Sequence, residues 1–578
     1  LIIHQFYLIF MKQFNTCLFL LSLLTFTACT DFFETDTDSI TNAKDYISNE
    51  DEMYKGFLGI LTKMQKAGDQ AIFLTDTRGD FLEITGNAPV ELQDIYNYNE
   101  TDGNSYADPD CYYEVIIACN DFIENMREYR EKIGESMDED SEADFNALIS
   151  STLRIKVWSY YTLGRIYGKA IWFDDPLEEY TNLNDTTTYT NLNEMASVVS
   201  KCLNLLDNGI SIYNGEQITA DLDMDWISWL DPESENEDQY RYWNYFVPTW
   251  LLLRCELLSW RGEADDWRWI RDNILSYLYS VQTVVAEEDD YIEYPGYMYA
   301  CNIPLTDDYY TMFYTEQIGN KYQFITGIMY DYDNDQTNRL VDYFCPAYPG
   351  EYYLKPSSYA IGKYAERDVR GLTQKLSMNI INGDTCFTKN YYYRGTFLKT
   401  NIFEIMPTII LQRGHDFHFL LAEAENHLGD WEQAECILNQ GVTNTYTYAS
   451  YLPSEWSSYY SSWFGDNGGY GDVGIVGCVR GANHELPKPT DEDYSISEAE
   501  RIYLYDMALA DEYLLEYAGE GKSYSYLIKM AERYPAYGAS IIADRVVPKY
   551  PSGKQAEIRA NIEAGGYYVD WNLSGDNE

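Results

Sequence analysis

Two stretches of this chain repeat one pattern, a helix, a short break and a second helix, and that pattern constrains the fold more than any other feature. Residues 247–275 (VPTWLLLRCELLSWRGEADDWRWIRDNIL) carry apolar positions at helical spacing, break at Arg261-Gly262-Glu263 and then resume. Residues 413–441 (RGHDFHFLLAEAENHLGDWEQAECILNQG) do the same around Gly429-Asp430. Apolar residues three and four apart share one helix face, and Gly at the break allows the left-handed exit that ends a helix. The Leu428-Gly429-Asp430-Trp431 step followed by Ala434 resembles the tetratricopeptide turn, in which Asp can cap the next helix. A looser pair is predicted at 498–516 and 524–533, and single helices at 45–66, 112–133, 143–167 and 193–208. In the second of these, Val115, Ile116, Cys119, Phe122, Ile123 and Met126 form one stripe. The repeats are degenerate and interrupted. The chain therefore reads as mainly α, a helical-repeat scaffold with long loop-rich insertions at 280–400 and 442–490. Residues 75–110, rich in Asp, Asn, Gly and Tyr, also read as loops.

The opening residues read as an address. Met11 is taken as the start, with residues 1–10 upstream of it. Lys12 supplies a positive end, and the ten residues from Cys17 to Phe26 an apolar stretch, where a membrane span needs about 20. Small residues Thr27-Ala28 lead into Cys29. This is the layout of a secretory signal peptide over residues 1–28, and the Cys that follows resembles the lipobox of bacterial lipoproteins, although Phe26 replaces the usual Leu. That resemblance implies that Cys29 is lipidated and anchors the chain stably, as two or three acyl chains do and one does not. Residues 29–44 read as a tether. The other cysteines of the mature chain are widely scattered, with no CxxC and no Cys/His cluster. Neither a zinc site nor a disulfide framework is indicated, and most are expected to be buried small hydrophobes.

A net charge of −54 excludes nucleic acid as the main partner and opposes docking on anionic lipid. A 46% hydrophobic fraction excludes global disorder. The unusual count is 57 tyrosines, beside 13 Trp and 23 Phe. A chain this acidic and this rich in Tyr suits neutral, hydroxyl-rich or cationic ligands; among these, sugar rings present apolar C–H faces that stack on such rings, while Asp, Asn and Arg take the hydroxyls. Two regions hold this mixture. One is 75–104, with Arg78, Asp80, Asp94, Tyr96, Asn97 and Tyr98; the other is 289–314, with Tyr291, Tyr294, Tyr297, Tyr299, Tyr309, Tyr310 and Tyr314. Trp456, Tyr459, Tyr460 and Trp463 form a third group.

Other chemistry is poorly supported. His415, His418, Glu423 and His427 share a predicted helix, but the spacing is not HExxH, and no metal is expected there. Asp331, Asp333 and Asp335 mimic the start of a calcium loop, yet Gln336 stands at the sharp-turn Gly position. Asp221, Asp223 and Asp225 form the same partial pattern, with Trp226 at that position. A solvated acidic loop is the better reading of both, with structural calcium as the alternative. With 94 acidic residues, carboxylate pairs arise by chance, and no G-x-S-x-G elbow is present. The Arg78-Gly79-Asp80 tripeptide is too short to carry an adhesion reading.

A series of motifs in order resembles the SusD/RagB family of outer-membrane nutrient-binding lipoproteins. Cys29-Thr30-Asp31-Phe32-Phe33-Glu34 matches its lipidated acidic-aromatic start. Tyr113, Ile116, Cys119, Asn120, Phe122 and Ile123 match one helix; Leu153-Arg154, Tyr160, Leu163 and Tyr167-Gly168 match the next. Asn338-Arg339-Leu340 precedes Tyr352-Tyr353-Leu354-Lys355-Pro356-Ser357. Arg413, Asp416, His418, Leu420 and Ala422-Glu423-Ala424-Glu425-Asn426 with Gly429 match the longest helix motif. Cys478-Val479-Arg480-Gly481 matches a short turn, and Glu512, Glu516, Glu520-Gly521, Leu527 and Lys529 part of a late helix.

The resemblance implies a SusD-like fold over one domain, 45–578, and a surface-exposed, lipid-anchored protein of the cell outer membrane. It implies binding, not an enzyme, and no cofactor. The expected ligand is an oligosaccharide, the expected partner a SusC-like TonB-dependent transporter. In the family's starch-binding member the parts matching 75–104 and 289–314 help frame the sugar site. Peptide capture is the alternative within the same architecture, and a surface glycoside hydrolase the alternative from another class.

Overall fold

The computed structural model describes residues 47–101, 103–176, 192–222, 243–280, 313, 323–373, 375–393, 396–442, 474–489, 491–492 and 494–570. The chain divides into two units, residues 1–52 and 53–578. Cys29 and the leader lie outside the described residues. In the first unit, the Ser48 backbone N–H and hydroxyl both donate to the Glu52 carboxylate at 2.7 Å.

The helices that matter for the site are α1 (Glu50–Ala67), α2 (Gln70–Thr75), α3 (Val90–Asn97), α4 (Asp110–Ile133), α5 (Glu139–Tyr167), α6 (Met195–Asn208), α7 (Trp250–Arg261), α8 (Ala264–Ser280), α9 (Leu340–Phe344), α10 (Gly414–Leu428), α11 (Trp431–Gln440), α12 (Glu498–Glu516) and α13 (Ser523–Arg533). Helix α5 shows why the core forms where it does. From Phe145 to Tyr167 almost every side chain is buried, as in a helix that is packed on all sides. The Asp138 carboxylate caps its start by accepting from Ser141 N–H at 3.0 Å, and Gly168, at φ +71°, ends it. Helix α5 packs against α4 and α6, α7 against α6 and α8, α10 against α8, α11 and α12, and α12 against α13. The predicted pairs 247–275, 413–441 and 498–533 are thus α7/α8, α10/α11 and α12/α13, and the fold is mainly α. No described helix is long and apolar enough to cross a membrane.

Three details differ from expectation. Residues 75–110 are not loops throughout, since α3 and the first residue of α4 lie within them. Helix α3 is only eight residues long, too short for its periodicity to stand out. The 280–400 insertion, where described, holds short strands: β1 (Leu82–Ile84) pairs antiparallel with β3 (Leu354–Pro356), β2 (Phe324–Ile328) with β6 (Ile409–Arg413), and β4 (Met378–Ile381) with β5 (Asp384–Phe387). Gly429 does end α10 at φ +88°, but the Asp430 side chain caps nothing at the start of α11.

The described thiols at Cys119, Cys202, Cys255, Cys345 and Cys386 are free and buried, while Cys478 is disulfide-bonded. Behind α12 the late acidic motif becomes a buried ion lattice. Arg370 Nη1 reaches Glu512 at 2.6 Å and Glu516 at 2.8 Å, and its Nη2 reaches Asp368 at 2.7 Å. Arg413 Nη1 reaches Glu516 at 2.7 Å and its Nη2 Glu520 at 2.9 Å; Lys389 adds a bond to Glu520 at 2.6 Å. Buried charges persist only when paired in this way.

Candidate ligand site

The first predicted group is drawn inward by the segment after Val546. Arg78 is fully buried, 2.5 Å from Glu100, donates to the Gly566 and Tyr568 carbonyls, and lies 4.2 Å over the Tyr98 ring. Tyr98 returns its hydroxyl to the Arg78 carbonyl. Asp80 is buried beside Arg545 at 3.4 Å; burial pushes its carboxyl up, against the pull of Arg545 and Lys549. Tyr96 packs 4.7 Å from the Tyr550 ring, and burial raises its phenol above the ordinary range. Asn97 keeps a part-exposed side chain, bonded to the Gln93 carbonyl and to Lys554 Nζ at 3.0 Å. These side chains hold the fold together and, Asn97 apart, offer no open face for stacking. The Arg78-Gly79-Asp80 tripeptide is equally inaccessible. Tyr291, Tyr294, Tyr297, Tyr299, Tyr309, Tyr310 and Tyr314 lie outside the described residues, as do Trp456, Tyr459, Tyr460 and Trp463.

A cleft of about 570 Å³ lies away from the residues singled out for sugar contact, although two residues of the Asn338-Arg339-Leu340 motif stand in its wall. Its walls come from the end of α1 (Gln65, Lys66), the α1–α2 turn (Asp69, Gln70), the approach to α4 (Ser105, Asp108, Cys111) and the start of α9 (Thr337, Asn338, Arg339, Asp342). Arg339 is its fixed centre. Its Nη2 and Nε donate to the Asp69 carboxylate at 2.5 and 3.1 Å, its backbone N–H to the same group at 2.8 Å, and Nη2 also to Gln70 Oε1 at 3.1 Å. The guanidinium rests 4.9 Å from the Phe73 ring and 5.8 Å from Tyr106 and Tyr343, whose hydroxyls bond each other at 2.8 Å. Gln65 is oriented by bonds to the Met329 carbonyl at 2.7 Å and Gln336 Oε1 at 2.9 Å.

The chemistry of this lining is that of recognition. Amides, hydroxyls and a planar cation-carboxylate fork present donors and acceptors, with the fork and Gln65 held in fixed directions, which suits a ligand rich in hydroxyls. Burial pushes the Cys111 thiol up to about 12, which keeps it protonated at neutral pH. Asp69 is occupied by Arg339. Burial raises the Asp342 carboxyl although Glu351 N–H opposes it.

A second, smaller cavity of about 50 Å³ lies among α5, α7, α10 and α13, lined by Tyr161, Glu256, Trp260, Asp416, Lys522 and Lys529. It is of water size, not sugar size. Among the described residues no group of three or more His, Cys, Asp or Glu side chains could hold a metal ion. His427 instead stacks on Trp267 at 4.3 Å and bonds Asp506 at 3.0 Å, and His415 lies 3.4 Å from Glu516. The Asp331 carboxylate closes its own turn by accepting from Asp333 N–H at 3.0 Å and Asn334 Nδ2 at 2.7 Å. Asp223 and Asp225 lie outside the described residues.

No protein-family model matches the chain, and no curated protein matches it. Solved structures do. A SusD superfamily protein from Bacteroides vulgatus ATCC 8482 superposes with a TM-score of 0.57 at 12% identity, over 91% of this chain and 96% of its own. A SusD homolog from Bacteroides thetaiotaomicron VPI-5482 gives 0.56 at 13%, over 92% and 97%. Surface glycan-binding protein A from Bacteroides fluxus gives 0.54 at 12%, over 88% and 95%. Sequence identity this low carries fold alone, and along nine-tenths of its length this chain has the SusD-like fold.

Proposed function

We propose that this protein captures an oligosaccharide at the outer-membrane surface, held there by lipid on Cys29, and passes it to a SusC-like TonB-dependent transporter without breaking a bond. The observation that carries the reading is the SusD-like fold itself, shared over most of the chain with a protein described as a surface glycan-binding protein. The cleft around Arg339 supports it, because its lining suits hydroxyl-rich ligands and its Cys111 is a neutral thiol. In this reading the tyrosines of 289–314 supply stacking faces and the buried residues Arg78, Asp80, Tyr96 and Tyr98 a framework.

Calorimetric titration of the purified protein against oligosaccharides and peptides tests the reading. Saturable sugar binding, weakened in Tyr297→Ala and leaving the oligosaccharide intact after long incubation, is the expected result. Binding of peptides alone replaces the ligand class, and cleavage of the sugar overturns the non-enzymatic role. A Cys29→Ala protein is expected in the soluble fraction, with the wild type in the membrane fraction.

A further inference from the structure

The small cavity of about 50 Å³ gathers polar groups that the rest of the fold leaves unspent. Its wall draws on α5, α7, α10, α12 and α13. Tyr161 and Ser525 in that wall are only 5% and 4% exposed, yet neither hydroxyl makes a hydrogen bond among the described residues. The Tyr513 hydroxyl, in the same wall, makes none either. Buried hydroxyls are ordinarily bonded, so three around one cavity point to a ligand between them.

The charges of the wall do not close on each other. Lys522 Nζ is spent on Asp416, 2.7 and 2.8 Å from its two carboxylate oxygens. Lys529 Nζ donates to Ser259 Oγ at 2.7 Å and to Glu423 at 3.0 Å. Arg165 makes no ion pair among the described residues. Its guanidinium lies 4.6 Å over the Tyr161 ring, Nη2 donates to Thr162 Oγ1 at 3.3 Å, and the buried Nε has no partner. Glu256, the other wall carboxylate, is in no ion pair among the described residues, and burial raises its carboxyl although Lys522 and Arg165 pull it down.

An ammonium carries three N–H donors, and the bonds of Lys522 and Lys529 leave one on each. With Arg165 Nε and the hydroxyls, the wall offers many donors and surplus positive charge against a single unspent carboxylate. A buried cation persists when it is paired, and charge-assisted hydrogen bonds are the strong ones. The partner this wall fits is an anion, and the volume limits it to a small one.

We propose that the cavity binds one small monovalent anion, of the size of chloride, held by Arg165, Lys522 and Lys529 together with the hydroxyls of Tyr161, Tyr513 and Ser525. The ion bonds side chains of α5, α12 and α13 at once and so ties the helical scaffold together. The site shares no residue with the Arg339 cleft, and it stands whatever ligand that cleft takes.

The test follows thermal melts of the full chain as sodium chloride replaces sodium gluconate at constant ionic strength, gluconate being too large for the cavity. A ligand that binds only the folded state raises the melting temperature with its concentration. The expected result is a saturable rise in the wild type. Its chloride midpoint should be roughly tenfold higher in Arg165→Gln and roughly threefold higher in Ser525→Ala. Crystals soaked in bromide are expected to show an anomalous peak beside Arg165. No response of the wild type to chloride overturns the site. A response that both variants keep in full also overturns it, since it marks an adventitious ion only. A bromide map without a peak in the cavity overturns it as well and assigns the cavity to ordered water. If Arg165→Gln fails to fold, Ser525→Ala and the bromide map decide, because that hydroxyl holds nothing else in the fold.

Discussion

Glu516 sits between two guanidinium groups, 2.7 Å from Arg413 and 2.8 Å from Arg370, with all three side chains fully buried. Burial works against its ionisation, yet Arg413, His415 and Arg370 hold the carboxylate well below the ordinary range. Removing one member of such a set leaves the others charged and unpaired. Glu516→Ala is therefore expected to lose about 3–5 kcal/mol of stability, read as a lower urea midpoint. Asp76 is the opposite case. Burial raises its carboxyl from 3.8 to about 7; Gly521 N–H, which donates to it at 3.2 Å, pulls the other way, and Glu520 adds to the rise. The folded state then keeps a proton that the unfolded state has released between those two values. The stabilisation is full below pH 3.8 and is lost as pH rises through about 7. From pH 4.5 to 7.5 the wild type should lose roughly 3 kcal/mol more than Asp76→Asn, in which the titrating group is gone.

At the scale of elements, the turn between α10 and α11 separates two residues that look alike in a motif. Gly429 is at φ +88°, and its N–H donates to the Asn426 carbonyl at 3.2 Å. A side chain there is strained whatever its contacts, so Gly429→Ala is expected to cost about 1 kcal/mol. Asp430 makes no cap bond, and Asp430→Ala should change stability by less than about 0.5 kcal/mol. Paired thermal melts of the two variants decide this. The helix pairs themselves were readable because a 3.6-residue apolar period survives any change of loop. Helix α3 was not, since eight residues give little more than two turns to count.

At the scale of the whole molecule, residues far apart in the chain share one core. Lys549 Nζ donates to the carbonyls of Thr77, Gly79 and Leu82, and Tyr550 donates to the carbonyl of Tyr96. Lys549→Met keeps the length of the stem but strands those backbone acceptors. A loss of about 3 kcal/mol or more, with a lowered melting temperature, is expected. The same interlock explains why Arg78 and Asp80 resembled ligand groups and are not exposed ones. Their neighbours in sequence are polar and loop-like, whereas their neighbours in space are Tyr98, Tyr568 and Arg545.

What the sequence determined alone was the local part: helix periods, the Gly-terminated turns and the ordered motifs that resemble one family. Each depends on residues within a few turns of one another, so a linear reading suffices. The tertiary structure decided which residues line the candidate cleft. Asp69 and Arg339 meet across 270 positions, and Asn87 reaches Glu351 across 264. Which polar residues face solvent and which are spent on each other depends on such long-range packing, because an Arg or a Tyr has the same chemistry in a cleft as in a core and differs only in what surrounds it.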